Sequence, residues 1–358
     1  MERLVHELYR GLIENHEVRL FGPAGCEEYI EPGSSAWSTR ISPTPLFLII
    51  SFCKGLYARI TRGSSDVIIG GSGLVGPVVV LLAKLSGAKS MLLLHGLDII
   101  ADSRAYQWFF VPFLRWADMA VCNSKNTAHL AVQYGIREER ITIVNPGVDL
   151  HGKPISKESA RQALGVADSK VLLSVGRLMP RKGLAEFVEQ CFVELCAEDQ
   201  CWHLLIAGGE PTQALNKPDE SVRDKIEASI AKHELQDRVT LLGHADDDTL
   251  GTLYSAADVF VFPLVETRGD VEGFGMVAIE AAVQGTPTVA FDCGGVSDAV
   301  SGGVSGALVA AGDYRAFADT IRRVAQQDLQ QSSQEFAREF SWENYNEQIE
   351  QNLKRLTA

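Results

Sequence analysis

Short runs rich in Val, Ile and Leu recur along the chain and alternate with longer stretches of helical period. Runs that are apolar on both faces mark parallel strands covered by helices on either side. The first half reads as a helix over residues 2–15, a strand at 17–21 and a helix over 46–62. Thr44 is placed to cap that helix, and Pro45 to start it. A strand at 66–69, a helix over 75–86, a strand at 90–94 and a helix over 104–117 follow. A strand at 119–122, a helix from 124 and a strand at 141–144 complete this half. Residues 34–44, polar and broken by proline, read as an irregular loop. The rhythm breaks at 151–156, and a second series begins: strand 170–175, helix 184–198, strand 203–207, helix 221–234 and strand 238–242. Strand 259–262, helix 276–284, strand 288–291 and helices to the end close it. The expected class is α/β, with domains at 1–150 and 151–340 and residues 341–358 returning to the first. The spacing of Trp342, Tyr345, Ile349 and Leu353 gives that last helix one apolar face. Two doubly wound domains would hold ligands at the carboxyl ends of their strands. A doubly wound domain normally opens on a strand, so a helix at residue 2 leaves the first strand of the amino-terminal domain missing from the expected pattern.

Composition narrows the class without changing the pattern. The 358 residues exceed what one core usually organises, and 46% apolar with 22% charged excludes disorder. Apolar runs such as 46–50 fall far short of the roughly 20 residues of a membrane span. Glu2, Arg3, His6 and Glu7 interrupt any signal-peptide core, so the chain reads as soluble and cytoplasmic. Residues 1–150 hold 14 Lys+Arg against 14 Asp+Glu; the remainder holds 19 against 32 and carries the whole net charge of −13. An acidic surface makes nucleic acid a poor partner. The neutral first half tolerates the inner face of an anionic membrane, which allows peripheral association. Leu46, Phe47 and Trp108 are candidates for that contact, although each alone reads as core packing. Seven cysteines argue against a disulfide framework. Cys191, Cys196 and Cys201 recur every five residues, a step of about 140° on a helix, so they do not converge on a metal.

Two stretches carry candidate chemistry. In ETRGDVEGFGMVAIEAAVQGTPTVAFDCGGVSD (266–298), Glu272 precedes Gly273, Phe274 and Gly275, and a helix carries Glu280. Glycines there let a backbone approach a ligand and leave the first helical N–H groups open to a phosphate. Helical rise puts the two carboxylates about 10 Å apart, a spacing for one ligand with hydroxyls at both ends. Read without a ligand, Glu272 is a helix-start charge and Glu280 a solvated one. In SVGRLMPRKG (174–183), Arg177, Arg181 and Lys182 follow a strand, where cations can grip a diphosphate and neutralise it as it departs. Solvated loop cations are the plain alternative. The stretch Gly71-Ser-Gly-Leu-Val-Gly76 also spells a dinucleotide-binding loop, but the acidic partner expected about 20 residues on is replaced by a strand running into His95. Asp246-Asp247-Asp248 resembles a metal-binding triplet and reads better as a helix cap.

GRLMPRKG followed by VEGFGMVAIEA resembles the family 4 retaining glycosyltransferases of the GT-B fold. HGLD (95–98), NSKNTAHL (123–130), NPGVD (145–149), AGGEP (207–211) and GGVSDAVSGGVSGALV (294–309) match in the same order. The stretch from TRGDVEGFG (267–275) onward looks closest to bacterial mannosyltransferases and enzymes of polysaccharide or lipopolysaccharide synthesis. The resemblance implies two Rossmann-like domains facing across a cleft, and a hexose moved with retention from a UDP- or GDP-sugar to a glycan, lipid-linked or small-molecule acceptor. It implies no metal and no cofactor beyond the nucleotide-sugar substrate. By it, Arg177 and Lys182 hold the diphosphate and Glu280 the ribose hydroxyls. Glu272 would contact the donor sugar, Gly273, Phe274 and Gly275 would bring amides to sugar and phosphate, and His95 would face the sugar. Gly243 and His244 are candidate neighbours of the base. Asp98 stands where related segments often carry an acid. A sugar-nucleotide-binding partner subunit and an NAD-dependent oxidoreductase are the alternatives.

Overall fold

The computed structural model describes residues 2–26, 35–39, 44–150, 155–210 and 221–358. The chain separates into two compact units, Met1–Gly147 with Trp342–Ala358, and Val148–Ser341. Each is a Rossmann-like α/β unit built on parallel strands.

In the first unit, β1 (Arg19–Pro23) pairs in parallel with β2 (Ser35–Thr39). A separate parallel sheet runs in chain order through β3 (Val67–Gly70), β4 (Lys89–Leu94), β5 (Met119–Cys122) and β6 (Ile141–Ile143). A cavity of about 590 Å³ lined by residues of β1 and β3 lies where the two sheets part. Leu92 and Leu94 turn to a core with Val80, Ile99 and Leu114, so β4 is buried by the helix Gly76–Ser86 that precedes it. Helix Trp342–Thr357 packs on helix Glu2–Ile13 and buries Trp342, Tyr345, Ile349 and Leu353. Strand β2 corrects the irregular loop expected at 34–44: Trp37 and its neighbours take a full parallel register with β1. Ser34 and residues 40–43 lie outside the described residues, as do residues 151–154 of the expected boundary and the Thr44 side chain of the expected cap. The single helix expected over 104–117 is two, Arg104–Phe109 and Val111–Leu114. Pro112 sits in the first turn of the second, where its missing N–H costs least. Phe47 does pack, stacking on Phe21 at 5.8 Å, but Leu46 and Trp108 are exposed rather than buried.

The second unit is a six-stranded parallel sheet. Its strands are β7 (Lys170–Val175), β8 (Trp202–Ala207), β9 (Val239–Gly243), β10 (Val259–Phe262), β11 (Thr288–Phe291) and β12 (Gly306–Val309), in the order β12-β11-β10-β7-β8-β9. Alternate residues feed opposite cores. Leu172, Leu204 and Phe291 join Phe187 and Phe317, whereas Val171, Leu173 and Phe260 join Tyr254, Phe274 and Ile279. That two-sided burial is why these strands are continuous apolar runs in sequence. The helix expected over 184–198 contains a π-helical turn, Val188–Phe192, within its length. Asp246 caps helix Asp247–Ala256 by accepting from the Thr249 N–H at 2.9 Å, which gives the acidic triplet its structural role.

Candidate active site

The order of the second sheet reverses between β7 and β10, because the chain builds outward on one side of β7 and then returns to the other. In an open α/β sheet the loops leaving the carboxyl ends at such a reversal diverge and leave a crevice for a ligand. Here those loops are the two stretches singled out in the sequence. The β7 loop carries Arg177, Arg181 and Lys182, and the β10 loop carries Asp270 and Glu272 before helix Met276–Val283.

Lys182 is the centre of the arrangement. Its side chain is buried, with the ammonium 4.4 Å over the ring of Phe262, the last residue of β10. Lys182 Nζ donates to Glu272 Oε2 at 2.8 Å. Arg181 donates to the same oxygen at 2.9 Å and to Asp270 Oδ1 at 3.1 Å. A backbone bond from the Val265 N–H to the Arg181 carbonyl, 2.9 Å, ties the two loops together. Gly183 makes this approach possible: its φ is +62°, and a Cβ there would fall 1.9 Å from the Pro263 carbonyl oxygen. Arg177 is exposed on the same loop and adds to the field at both Lys182 and Glu272. Burial pushes the Lys182 ammonium below its ordinary pKa, against the opposing pull of Glu272. Burial would raise the Glu272 carboxyl, but Lys182 and Arg181 outweigh it and hold the group below the ordinary carboxylate range. Arg181 and Lys182 thus share Glu272, Arg181 also holds Asp270, and Arg177 adds a third cation to the same loop.

Beside them stands an open helix end. Gly275 is the N-cap of helix Met276–Val283, with φ of 102° and no side-chain cap; the Ala278 N–H closes onto the Gly275 carbonyl at 2.9 Å, and helical geometry gives the Met276 and Val277 amides no intrahelical acceptor. Gly273 lies directly under the 294–295 turn. The Gly295 N–H donates to the Glu272 carbonyl at 2.8 Å, and a Cβ on Gly295 would fall 2.1 Å from the Gly273 oxygen. The buried Phe274 anchors this segment by its ring against Phe340, centroids 5.6 Å apart. Farther along the helix, Glu280 Oε2 accepts from the Tyr254 hydroxyl at 3.1 Å. Burial, reinforced by Glu280, raises the Tyr254 phenol well above its ordinary pKa, so it stays a donor. The next loops along the edge also meet: the Gly176 N–H donates to the Ala207 carbonyl at 2.9 Å, and the Gly208 N–H to the Gly243 carbonyl at 2.6 Å. Gly243 therefore lies on the same edge, with His244 exposed after it.

Sequence reasoning named Arg177, Arg181, Lys182, Glu272 and Glu280 but missed what holds them. Asp270 and Tyr254 were not singled out, and Arg181 bridges Asp270 and Glu272. The fixed spacing of Asp270 and Glu272, two apart on one loop, was the available signal for the first. Tyr254 gives no local signal, since its helix is distant in sequence from Glu280.

His95 lies in the first unit, after β4. Its Nε2 donates to the Gly71 carbonyl at 2.9 Å, and its backbone N–H donates to Asp98 Oδ1 at 2.9 Å. Asp98 Oδ2 accepts from the Gly73 N–H at 2.8 Å, so Asp98 braces the His95 turn against the glycine loop. That amide is one a dinucleotide loop would offer to phosphate, and it is already engaged. Among the described residues no group of three or more His, Cys, Asp or Glu is gathered to hold a metal ion.

Comparison with known proteins identifies the family. The model for glycosyl transferases group 1 matches residues 156–341, and that for Glycosyltransferase Family 4 matches residues 1–151. The D-inositol 3-phosphate glycosyltransferase of Mycolicibacterium smegmatis is 37% identical over 232 residues, 63% of this chain and 50% of that protein. Its namesake from Nocardia farcinica is 34% identical over 210 residues, 57% of this chain and 44% of that protein. The chain spans about half the length of the curated relatives it matches. Among solved structures, Anabaena HepE in complex with UDP has the same fold, with TM-score 0.79 at 21% identity over 99% of this chain and 96% of that one. Sucrose-phosphate synthase from Thermosynechococcus elongatus gives TM-score 0.78 at 24% identity over 99% and 92%. With one model spanning more than half of its length and the other nearly all the rest, the chain belongs to the glycosyl transferases group 1 family and is a family 4-like glycosyltransferase of the GT-B fold.

Proposed function

We propose that the chain transfers a hexose from a UDP- or GDP-sugar to a hydroxyl acceptor with retention at the anomeric carbon. The observation that carries this reading is the buried Lys182, aligned with Arg181 and Arg177 at the sheet reversal beside the uncapped helix Met276–Val283. A diphosphate needs cations and open amides together, and both end on this edge. The Anabaena relative is described with UDP, with UDP and glucose, and with UDP-glucose, which supports the donor class. In this reading Arg177 and Lys182 stabilise the charge that builds on the departing diphosphate, so transfer proceeds without a metal. The C1–O bond to the diphosphate breaks as the acceptor oxygen attacks from the same face, and the acceptor proton passes to the diphosphate. Glu280 binds the ribose hydroxyls, Glu272 the donor sugar, the 273–275 backbone both, and Gly243–His244 the base. His95 acts on the transferred sugar; His95→Ala should lower turnover and leave nucleotide diphosphate affinity unchanged. A glycan, a lipid-linked sugar or a small polyol is the acceptor class, consistent with relatives named for D-inositol 3-phosphate. With a lipid-linked acceptor the chain works at a membrane surface, the inner face in a bacterial cell.

The test is turnover. Each nucleotide sugar is supplied with an acceptor panel, and the anomeric coupling of the product is read by nuclear magnetic resonance. Transfer with retention is expected, and Arg177→Ala or Lys182→Ala should lower turnover by roughly a hundredfold or more. Inverted product would overturn the mechanism, and nucleotide binding without any transfer would leave only a binding role.

A further inference from the structure

We infer that the outer face of three helical segments in the first unit docks onto an anionic lipid surface. The inference names the surface behind the membrane-associated form of the reading above, and its test does not require transfer activity.

Exposed large apolar residues are concentrated here. Helix Thr44–Arg62 presents Leu46, Ile49, Tyr57 and Ile60, with exposed Cys53 between them. The steps of three and four residues put all five on one side of the helix. Ile60 is 82% exposed. Helix Gly76–Ser86 adds Leu81 and Leu85, one turn apart, and the 104–116 segment adds Trp108 (79% exposed), Phe109 and Trp116. These segments adjoin: Leu48, Val78 and Leu82 pack together with Phe110 against them. On the outside, Arg59 donates to the Leu85 carbonyl and Lys84 stands 4.8 Å over the Trp116 ring. A monomer rarely leaves so many large apolar side chains together in water.

Charge decides between occupants. Residues 44–62, 76–86 and 104–116 hold no Asp or Glu in a chain whose net charge is −13; of their cations Lys54 and Arg62 lie over the Trp37 ring, which leaves Arg59, Lys84, Arg104 and Arg115 for this surface. A face packing against its own copy would set these cations against one another. Anionic headgroups instead neutralise them while the acyl boundary takes Ile60, Trp108 and Phe109, and aromatic residues favour that boundary. Among the described residues no helix is long and apolar enough to cross a membrane, so the contact is peripheral.

The experiment is co-sedimentation of the full chain with phosphatidylglycerol–phosphatidylcholine vesicles and with phosphatidylcholine alone. Binding to the anionic vesicles is expected, weakening as salt rises. The Ile60→Ser/Trp108→Ser pair should lower it by about tenfold or more. Val304→Ser, an exposed apolar residue of the other unit, should leave it unchanged. Thermal melts confirm that each variant folds. Equal binding to both vesicles, no binding, or binding indifferent to the double substitution would overturn the inference. A concentration-dependent dimer abolished by the same pair, without vesicle binding, would assign the face to a second copy instead. Loss of transfer with vesicle binding intact would count against the proposed function and leave this surface standing.

Discussion

The Glu272 carboxylate has two cations on one oxygen, and the charge states of Glu272 and Lys182 move stability in the same direction with pH. Glu272 is held below the ordinary carboxylate range, so its stabilisation is complete above that range and is lost as pH falls through its folded pKa. Lys182 is depressed by burial, so its charged form opposes folding, and stability rises as pH climbs through its folded pKa toward the ordinary lysine value. Glu272→Gln leaves Lys182 and Arg181 without a countercharge and should cost about 3 kcal/mol at neutral pH. Urea midpoints measured at successive pH values should show that cost shrinking in acid; a cost independent of pH would mean that Glu272 is not held as an anion. The two carboxylates also separate by ligand. Nucleotide diphosphate affinity should fall several-fold for Glu280→Ala, and less for Tyr254→Phe, which removes one hydrogen bond. It should stay near wild type for Glu272→Ala, and titration calorimetry reads all three. The reverse order would exchange the roles of Glu272 and Glu280. At this scale the sequence pointed to the three cations, Glu272 and Glu280, but not to Asp270 or to the pairing. Arg181 bridging Asp270 and Glu272 depends on two loops separated by the whole of β8, β9 and β10, and no local pattern reports such a contact.

At the scale of elements, strands were the most legible features. Residues 119–122 and 170–175 were read with their observed limits, because strands buried on both faces are unbroken apolar runs. Strand β2 was missed for the converse reason. Ser35–Thr39 is mostly small and polar, and its only sheet neighbour among the described residues is β1. The 104–117 segment was read as one helix since its apolar period does not register the break at Phe110. Loop geometry is likewise set by contacts rather than by pattern, and Gly183 is the sharpest case. Gly183→Ala must both hold a positive φ and move the Pro263 carbonyl, so a loss of about 2 kcal/mol or more is expected. A thermal melt checks it, and an unchanged midpoint would mean that the β7 and β10 loops are not held as closely as described. Because Val265 bonds to Arg181 across the same contact, a loosened Gly183 should also weaken nucleotide binding.

For the molecule as a whole, the fold class follows from the repeated α/β rhythm, and the order of strands in the second unit brings the two charged loops to one edge. Each of the two best motifs follows a strand at the reversal, so their separation of about 90 residues in sequence disappears in the fold. The charge asymmetry of the chain has a structural counterpart as well: the helices richest in exposed apolar residues are also free of carboxylates. The central claim is that Arg177 and Lys182 grip a nucleotide diphosphate on the second unit. Titration calorimetry of the full chain with UDP, GDP, ADP and dTDP, repeated on Arg177→Ala and Lys182→Ala variants with wild-type circular dichroism, tests it most directly. The account predicts that one of the first two nucleotides binds best and that each substitution weakens it by about tenfold or more. Undiminished binding by folded Lys182→Ala protein, or no binding of any nucleotide by the wild type, would contradict it.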